Sequence, residues 1–278
     1  MQRIRFESAD GVTGDLHVDL GADEGAPVLW LQPAMGIRAE WYFELVEPAR
    51  SRGWRLAVAD LRGHGTSSVR PSRAVDFGYR EIVEFDLPAQ HAALTRAVTG
   101  PIVVAGHSLG GHVALLFACR RPQAVRGVAL IASCSVHHVH WGRRAPTLWL
   151  GTRAARVTAE ALGWFPGETF GFGGREARGL IKDWARMGAT GDFKSRGIDY
   201  EVDLVRGKTP ALFLSIDSDP LAPPRAVDAL CRKIPRRWAT RSHVAVEGKR
   251  AHFDWTRAPD PVLDALTEWW KTRAARTS

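Results

Sequence analysis

The amino-acid sequence predicts an α/β fold: a mostly parallel central sheet, entered through an antiparallel hairpin, with helices on both faces. Three observations predict it. Apolar runs at 28–31 (VLWL), 56–59 (LAVA), 102–105 (IVVA), 128–131 (VALI) and 211–214 (ALFL) are continuous rather than alternating, as in strands buried on both faces of a parallel sheet. Helix-like stretches at 39–52, 87–98, 109–120 and 224–233 lie between them, the rhythm of parallel crossovers. The first twenty residues differ: "RIRFES" and "GDLHVDL" alternate apolar and polar side chains around Asp10-Gly11, which reads as a hairpin and its turn.

The elements follow in order. Pro88 stands near the start of the 87–98 stretch and Pro122 closes 109–120, positions where proline starts a helix or stops one. The rhythm then breaks. From 134 to 207 the distance to the next buried strand roughly doubles, and Trp141, Trp149, Trp164, Phe165, Phe170, Phe172 and Trp184 are mixed with glycines. A structureless loop of that length does not suit a compact domain, so the segment reads as a helical insertion over the carboxyl edge of the sheet, where such folds bind ligands. The expected organisation is a core of 1–133 and 208–278 with a cap of 134–207. The chain closes with an alternating stretch at 238–246, read as a strand, and an amphipathic helix over 259–275 with Val262, Leu263, Leu266 and Trp269/Trp270 at helical spacing.

Composition narrows the function classes. With 278 residues, 45% hydrophobic, one large domain can bury a core. The 38 basic against 30 acidic residues leave a net charge of +8. That charge is spread from Arg3 to Arg276 in nothing denser than pairs and without a nucleic-acid motif, so it reads as a solvated surface and no nucleic-acid partner is expected. No 18-residue apolar run exists, and the N-terminus carries charges where a signal peptide needs an apolar stretch. Neither membrane insertion nor export is expected, and the cytoplasm is the expected location. Cys119, Cys134 and Cys231 lie far apart with no CxxC spacing, which fits core packing in a reducing compartment.

The stretch "PIVVAGHSLGGHVALLFA" (101–118) concentrates the chemistry. Gly106-His107-Ser108-Leu109-Gly110 fits G-x-S-x-G, a strand-to-helix turn that lifts a serine hydroxyl above the end of a sheet. Strand and helix backbones pass close together there, so a Cβ at 106 or 110 would collide. A serine hydroxyl is a weak nucleophile until a base takes its proton, and the base needs a carboxylate to orient it. Downstream lie Asp217-Ser218-Asp219-Pro220-Leu221 and Ala251-His252-Phe253-Asp254-Trp255.

In these residues the chain resembles the α/β-hydrolase superfamily, and within it a group of predicted serine hydrolases of esterase or lipase type. The resembling stretches are "LQPAMG" at 31–36, "DLRGHGTSS" at 60–68, "FDLPA" at 85–89, "AGHSLGG" at 105–111, "GWFPG" at 163–167, "SDPLAP" at 218–223 and "AHFDW" at 251–255. The resemblance implies Ser108 as nucleophile, His252 as base and Asp219, before the Pro-Leu pair, as the acid; Asp217 is the rival acid. For the oxyanion it implies the backbone N–H of Leu109 and one from "QPAMG", where Pro33 has no N–H to give. Ala34 is the first candidate and Met35 the next. The "DLRGHG" loop reads as scaffolding tied down by Asp60 and Arg62.

Other histidines compete for roles. His64 belongs to that loop, and His243 to the 238–246 strand. His137, His138 and His140 cluster without a second set of ligands at a recognised spacing, so no metal is expected. His107, Trp141, Trp164 and Phe165 are the residues expected at the substrate pocket. The expected activity is cleavage of an ester-like bond in a small, apolar substrate through an acyl-enzyme, with no cofactor. An acyltransferase, thioesterase or amidase on the same triad, or a binding protein that keeps the fold without turnover, are the alternatives.

Overall fold

The alternation at the start of the chain becomes a hairpin: β1 (Gln2–Glu7) pairs antiparallel with β2 (Thr13–Val18), and Gly11 takes a left-handed φ of 79° in the turn. The computed structural model describes residues 1–21, 23–248 and 251–274. The apolar runs form β3 (Val28–Gln32), β4 (Arg55–Ala59), β5 (Ile102–His107), β6 (Gly127–Ile131) and β7 (Ala211–Ile216), all buried along their whole length. With β8 (Ala239–Val244) they complete an eight-stranded sheet in the order β1-β2-β4-β3-β5-β6-β7-β8. From β4 to β8 every neighbouring pair is parallel, and β2 runs antiparallel to β4. The chain is thus a mostly parallel α/β sheet with an antiparallel entry.

Helices α1 (Leu87–Ala97), α2 (Leu109–Arg120), α5 (Pro224–Cys231) and α6 (Asp260–Ala274) occupy the predicted stretches of the core. The stretch 39–52 departs from expectation: it is a 3-10 turn over Ala39–Leu45 followed by a short α-helix over Val46–Arg50. Pro48 explains the break. It cannot donate to a preceding carbonyl, so the α-helix restarts just before it, in a first turn where the missing N–H costs nothing.

Residues 134–207 leave the sheet, but not as a purely helical insertion. They hold α3 (Ala145–Leu162) and α4 (Arg178–Thr190), which pack on each other, and two small antiparallel ribbons, 164–166 with 175–177 and 194–195 with 198–199. Glycine makes the difference: Gly163 ends α3 with φ 86°, and Gly171 and Gly173, at 64° and 72°, turn the first ribbon back.

A candidate active site at the carboxyl edge of the sheet

Ser108 lies between β5 and α2 with φ 54° and ψ −118°. This left-handed backbone is costly for a residue with a Cβ and persists only where the surroundings enforce it. The surroundings are glycines in contact. A Cβ on Gly106 would stand 2.2 Å from the Gly110 carbonyl, and one on Gly110 would stand 2.1 Å from the Gln32 oxygen. The elbow is therefore wedged against α2 on one side and against the end of β3 on the other.

Asp219 follows β7 and His252 lies in a short helical turn, Ala251–Asp254, beyond β8. Their side chains meet although the residues are 33 apart in sequence: His252 Nδ1 is 2.8 Å from Asp219 Oδ2, and both are buried. The other carboxylate oxygen accepts the N–H groups of Leu221 (2.8 Å) and Ala222 (3.1 Å), which fixes its plane. Asp217 is not in contact with His252. Its side chain is 65% exposed and reaches the Ser218 hydroxyl at 3.4 Å and His243 at 3.9 Å.

Ser108 and His252 line one cavity of about 680 Å³, which Ala34, Met35 and Leu109 also line. At the start of α2 the first N–H groups have no carbonyl a turn earlier to bond, so the Leu109 amide suits a developing anion. The β3 loop is less simple. Ala34 donates its N–H to the Tyr42 hydroxyl at 3.0 Å, so the amide placed first by the sequence is already engaged. The Met35 N–H has no hydrogen-bond partner among the described residues.

The comparisons with known proteins agree with this architecture. The family described as "alpha/beta hydrolase fold" matches residues 27–161. The chain has the α/β-hydrolase fold. Among solved structures it is similar to a thermophilic esterase from Thermogutta terrifontis (22% identity, 98% of this chain and 99% of that one, TM-score 0.64) and to a monoglyceride lipase from Saccharomyces cerevisiae (16%, 96% and 94%, TM-score 0.69). Among curated proteins it is 34% identical over 92 residues to a pimeloyl-[acyl-carrier protein] methyl ester esterase of Neisseria meningitidis, covering 33% of this chain and 31% of the relative. A protein of the same name from Nitrosomonas europaea is 27% identical over 67% of this chain and 75% of its own length. The chain thus spans about a third of the first curated relatives it matches.

Within this fold the pocket residues divide. Trp141 and Phe165 face the cavity, Trp141 with its indole N–H on the Ser135 carbonyl at 3.0 Å and Phe165 stacked on Phe170 at 5.6 Å. Trp164 does not; its ring carries the Arg175 guanidinium at 4.0 Å. Successive strand residues point to opposite sides, so only one of the pair 164 and 165 can face inward. His107 is also not a lining residue. It is fully buried beneath the elbow, where desolvation holds its pKa well below 6.5 and the neighbouring His252 lowers it further. The sequence reading missed His112 and Cys134 on the cavity wall. Burial lowers the His112 pKa to about 4 and raises that of the Cys134 thiol. Cys134 sits just past the carboxyl end of β6 and His112 in the first turn of α2 after β5, the one positional signal that pointed to them.

The "DLRGHG" loop is tied down as expected, though by partners the sequence did not name. Asp60 accepts the N–H groups of Ala39 (2.8 Å) and Thr66 (2.9 Å), and buried Arg62 bridges Asp86 and Asp10, each at 2.6 Å. His64 reaches Glu176 at 3.1 Å. His137 lies edge-on to His138 and His140, and among the described residues no group of three or more His, Cys, Asp or Glu is placed to hold a metal. Among the same residues no helix is long and apolar enough to cross a membrane.

Proposed function

We propose that this protein is a serine hydrolase that cleaves carboxylic esters with an apolar acyl or alcohol group, through an acyl-enzyme on Ser108, His252 and Asp219. The observation that carries the reading is the buried His252–Asp219 contact at 2.8 Å on the same cavity as a serine held in a strained elbow. The carboxylate can only accept, so Nδ1 carries its proton toward Asp219 and Nε2 is the free basic position. Nε2 takes the Ser108 proton as Oγ bonds to the carbonyl carbon, then returns it to the departing alkoxide as the ester C–O bond breaks. Water repeats the sequence: its proton passes to Nε2, its oxygen bonds the acyl carbon, and the proton returns to Ser108 Oγ as the acid leaves.

Leu109 N–H and a second amide from the β3 loop are placed to receive the oxyanion, each worth ~3–4 kcal/mol of barrier in a site closed to water. Residues 134–207 act as a cap over the cavity, and their aromatic side chains favour an apolar group. The curated relatives named as methyl ester esterases support ester chemistry and a small alcohol. The test is labelling with a fluorophosphonate followed by mapping of the modified residue, then turnover of p-nitrophenyl esters. Modification of Ser108 with loss of turnover is expected; label elsewhere, or turnover by Ser108→Ala equal to wild type, overturns the reading.

A further inference from the structure

One chain of hydrogen bonds ties the β3 loop to the segment that carries His252, and it passes beneath Ser108. Ala34 N–H donates to Tyr42 Oη at 3.0 Å, Tyr42 Oη lies 2.9 Å from His107 Nδ1, and His107 Nε2 lies 2.8 Å from the backbone carbonyl of His252. Tyr42 and His107 are fully buried, so no water is available to replace a missing partner. The proton positions follow from the two ends. A carbonyl only accepts, so His107 Nε2 carries the hydrogen; the neutral ring then offers a lone pair at Nδ1, and the single Tyr42 proton goes there. The Tyr42 oxygen is left to accept from Ala34. Any other arrangement sets donor against donor or leaves a buried group unpaired.

We propose that Tyr42 and His107 are positioning residues: they hold the β3 loop and the His252 backbone at a fixed offset around Ser108, and by engaging the Ala34 amide they leave the second oxyanion position to Met35 N–H. The kinetic part rests on the ester-hydrolase reading; the hydrogen-bond chain itself does not. Three stretches far apart in sequence meet in it: the β3 loop with the 3-10 turn Ala39–Leu45 that follows it, the elbow, and the turn Ala251–Asp254. Pro33 has no N–H and the Ala34 N–H points into the protein, so Met35 is the first residue of the loop with an amide to offer the cavity that it lines. Burial also keeps His107 neutral near pH 7, so the chain is not broken by protonation in the range where an imidazole base works.

The test combines a variant with a spectroscopic reading of the unaltered protein. Tyr42→Phe keeps the ring and removes the hydroxyl. For p-nitrophenyl esters it is expected to lower kcat about 10- to 100-fold with KM within about twofold, the size of effect a small misplacement of reacting groups produces. Affinity for an alkyl boronate, which mimics the tetrahedral adduct, should fall with kcat. If Ala34 were the working donor, removal of the hydroxyl would release it; an unchanged or raised kcat in a folded Tyr42→Phe protein overturns the proposal. His107→Gln, which keeps a donor for the His252 carbonyl, should retain more activity than His107→Ala. In the wild type, the ring ¹⁵N shifts of His107 should show the Nε2–H form without change from pH 5 to 8, and an Nδ1–H form or a titration near 6.5 sinks the chain of hydrogen bonds. That measurement needs neither turnover nor a variant, so it separates failure of this proposal from failure of the esterase reading.

Discussion

His252 Nδ1 stands 2.8 Å from Asp219 Oδ2 in buried surroundings, whereas Asp217, two residues earlier, lies in solvent. A carboxylate out of water holds an imidazole in one tautomer and stabilises its charge; an exposed one at 3.9 Å is screened. Asp219→Asn is therefore expected to lower kcat by roughly 10⁴ and Ser108→Ala by about 10⁶, while Asp217→Asn stays within about twofold of wild type. Steady-state kinetics on a p-nitrophenyl ester checks all three, and a crippled Asp217→Asn beside an active Asp219→Asn would reverse the assignment.

The strain at Ser108 predicts a conflict between stability and activity. Glycine adopts a φ of 54° without the Cβ penalty, so Ser108→Gly should abolish ester turnover and yet raise unfolding free energy by about 1 kcal/mol over Ser108→Ala. Gly106→Ala tests the enforcing contact from the other side. Its Cβ would meet the Gly110 backbone at 2.2 Å, and backbone cannot step aside like a flexible side chain. A loss of more than about 4 kcal/mol, or no soluble protein, is expected; thermal unfolding near the wild-type midpoint would show the elbow to be looser than described.

Acid should destabilise the protein through His112. This ring is fully buried, bonded to the Cys134 carbonyl at 2.8 Å and the Tyr79 hydroxyl at 3.0 Å, and its pKa is lowered to about 4, chiefly by desolvation. An unfolded histidine titrates near 6.5, so between about pH 6.5 and 4 the unfolded chain binds the extra proton and stability rises with pH. The contribution is complete above about 6.5 and lost as pH falls through that window, on the order of 3 kcal/mol in all. Unfolding midpoints measured from pH 7.5 to 4.5 should fall. In His112→Gln the protein should be less stable at pH 7.5 but its acid slope shallower; an equally steep slope would place the responsible group elsewhere.

Much of this was legible in the sequence because burial on both faces leaves uninterrupted apolar runs, and the elbow was legible because close backbone approach admits only glycine at 106 and 110. The choice between Asp217 and Asp219 rested on resemblance, since two carboxylates on one loop differ only in which way they face. Trp164 and Phe165 were named together where strand alternation admits one. Tyr42 gave no signal at all: its hydroxyl matters because it joins the Ala34 amide, eight residues away, to His107, 65 residues away, and no local pattern records such a meeting. The engagement of the Ala34 amide by that hydroxyl was hidden from the sequence for the same reason.

The last prediction concerns how the cavity chooses its substrate. On α3, Gly151, Ala154, Ala155 and Thr158 line the cavity together with Phe165 and Phe172, and their side chains are small. A Cβ built on Gly151 meets nothing within 4 Å, and its φ lies outside the left-handed region, so a larger residue there enters open space without backbone strain. Gly151→Ala should stabilise the protein by about 0.5–1 kcal/mol, the gain expected when glycine is removed from a helix interior. Gly151→Leu should fill the apolar slot instead. Turnover of p-nitrophenyl acetate should then stay within about twofold, while kcat/KM for the octanoate falls at least about tenfold through KM, about 1.4 kcal/mol or more of lost binding. The acetate rate separates this from damage to the triad, because both esters use the same Ser108, His252 and Asp219. If the two esters lose activity in equal proportion, the acyl group does not lie along α3, and the small face of that helix serves packing rather than selection.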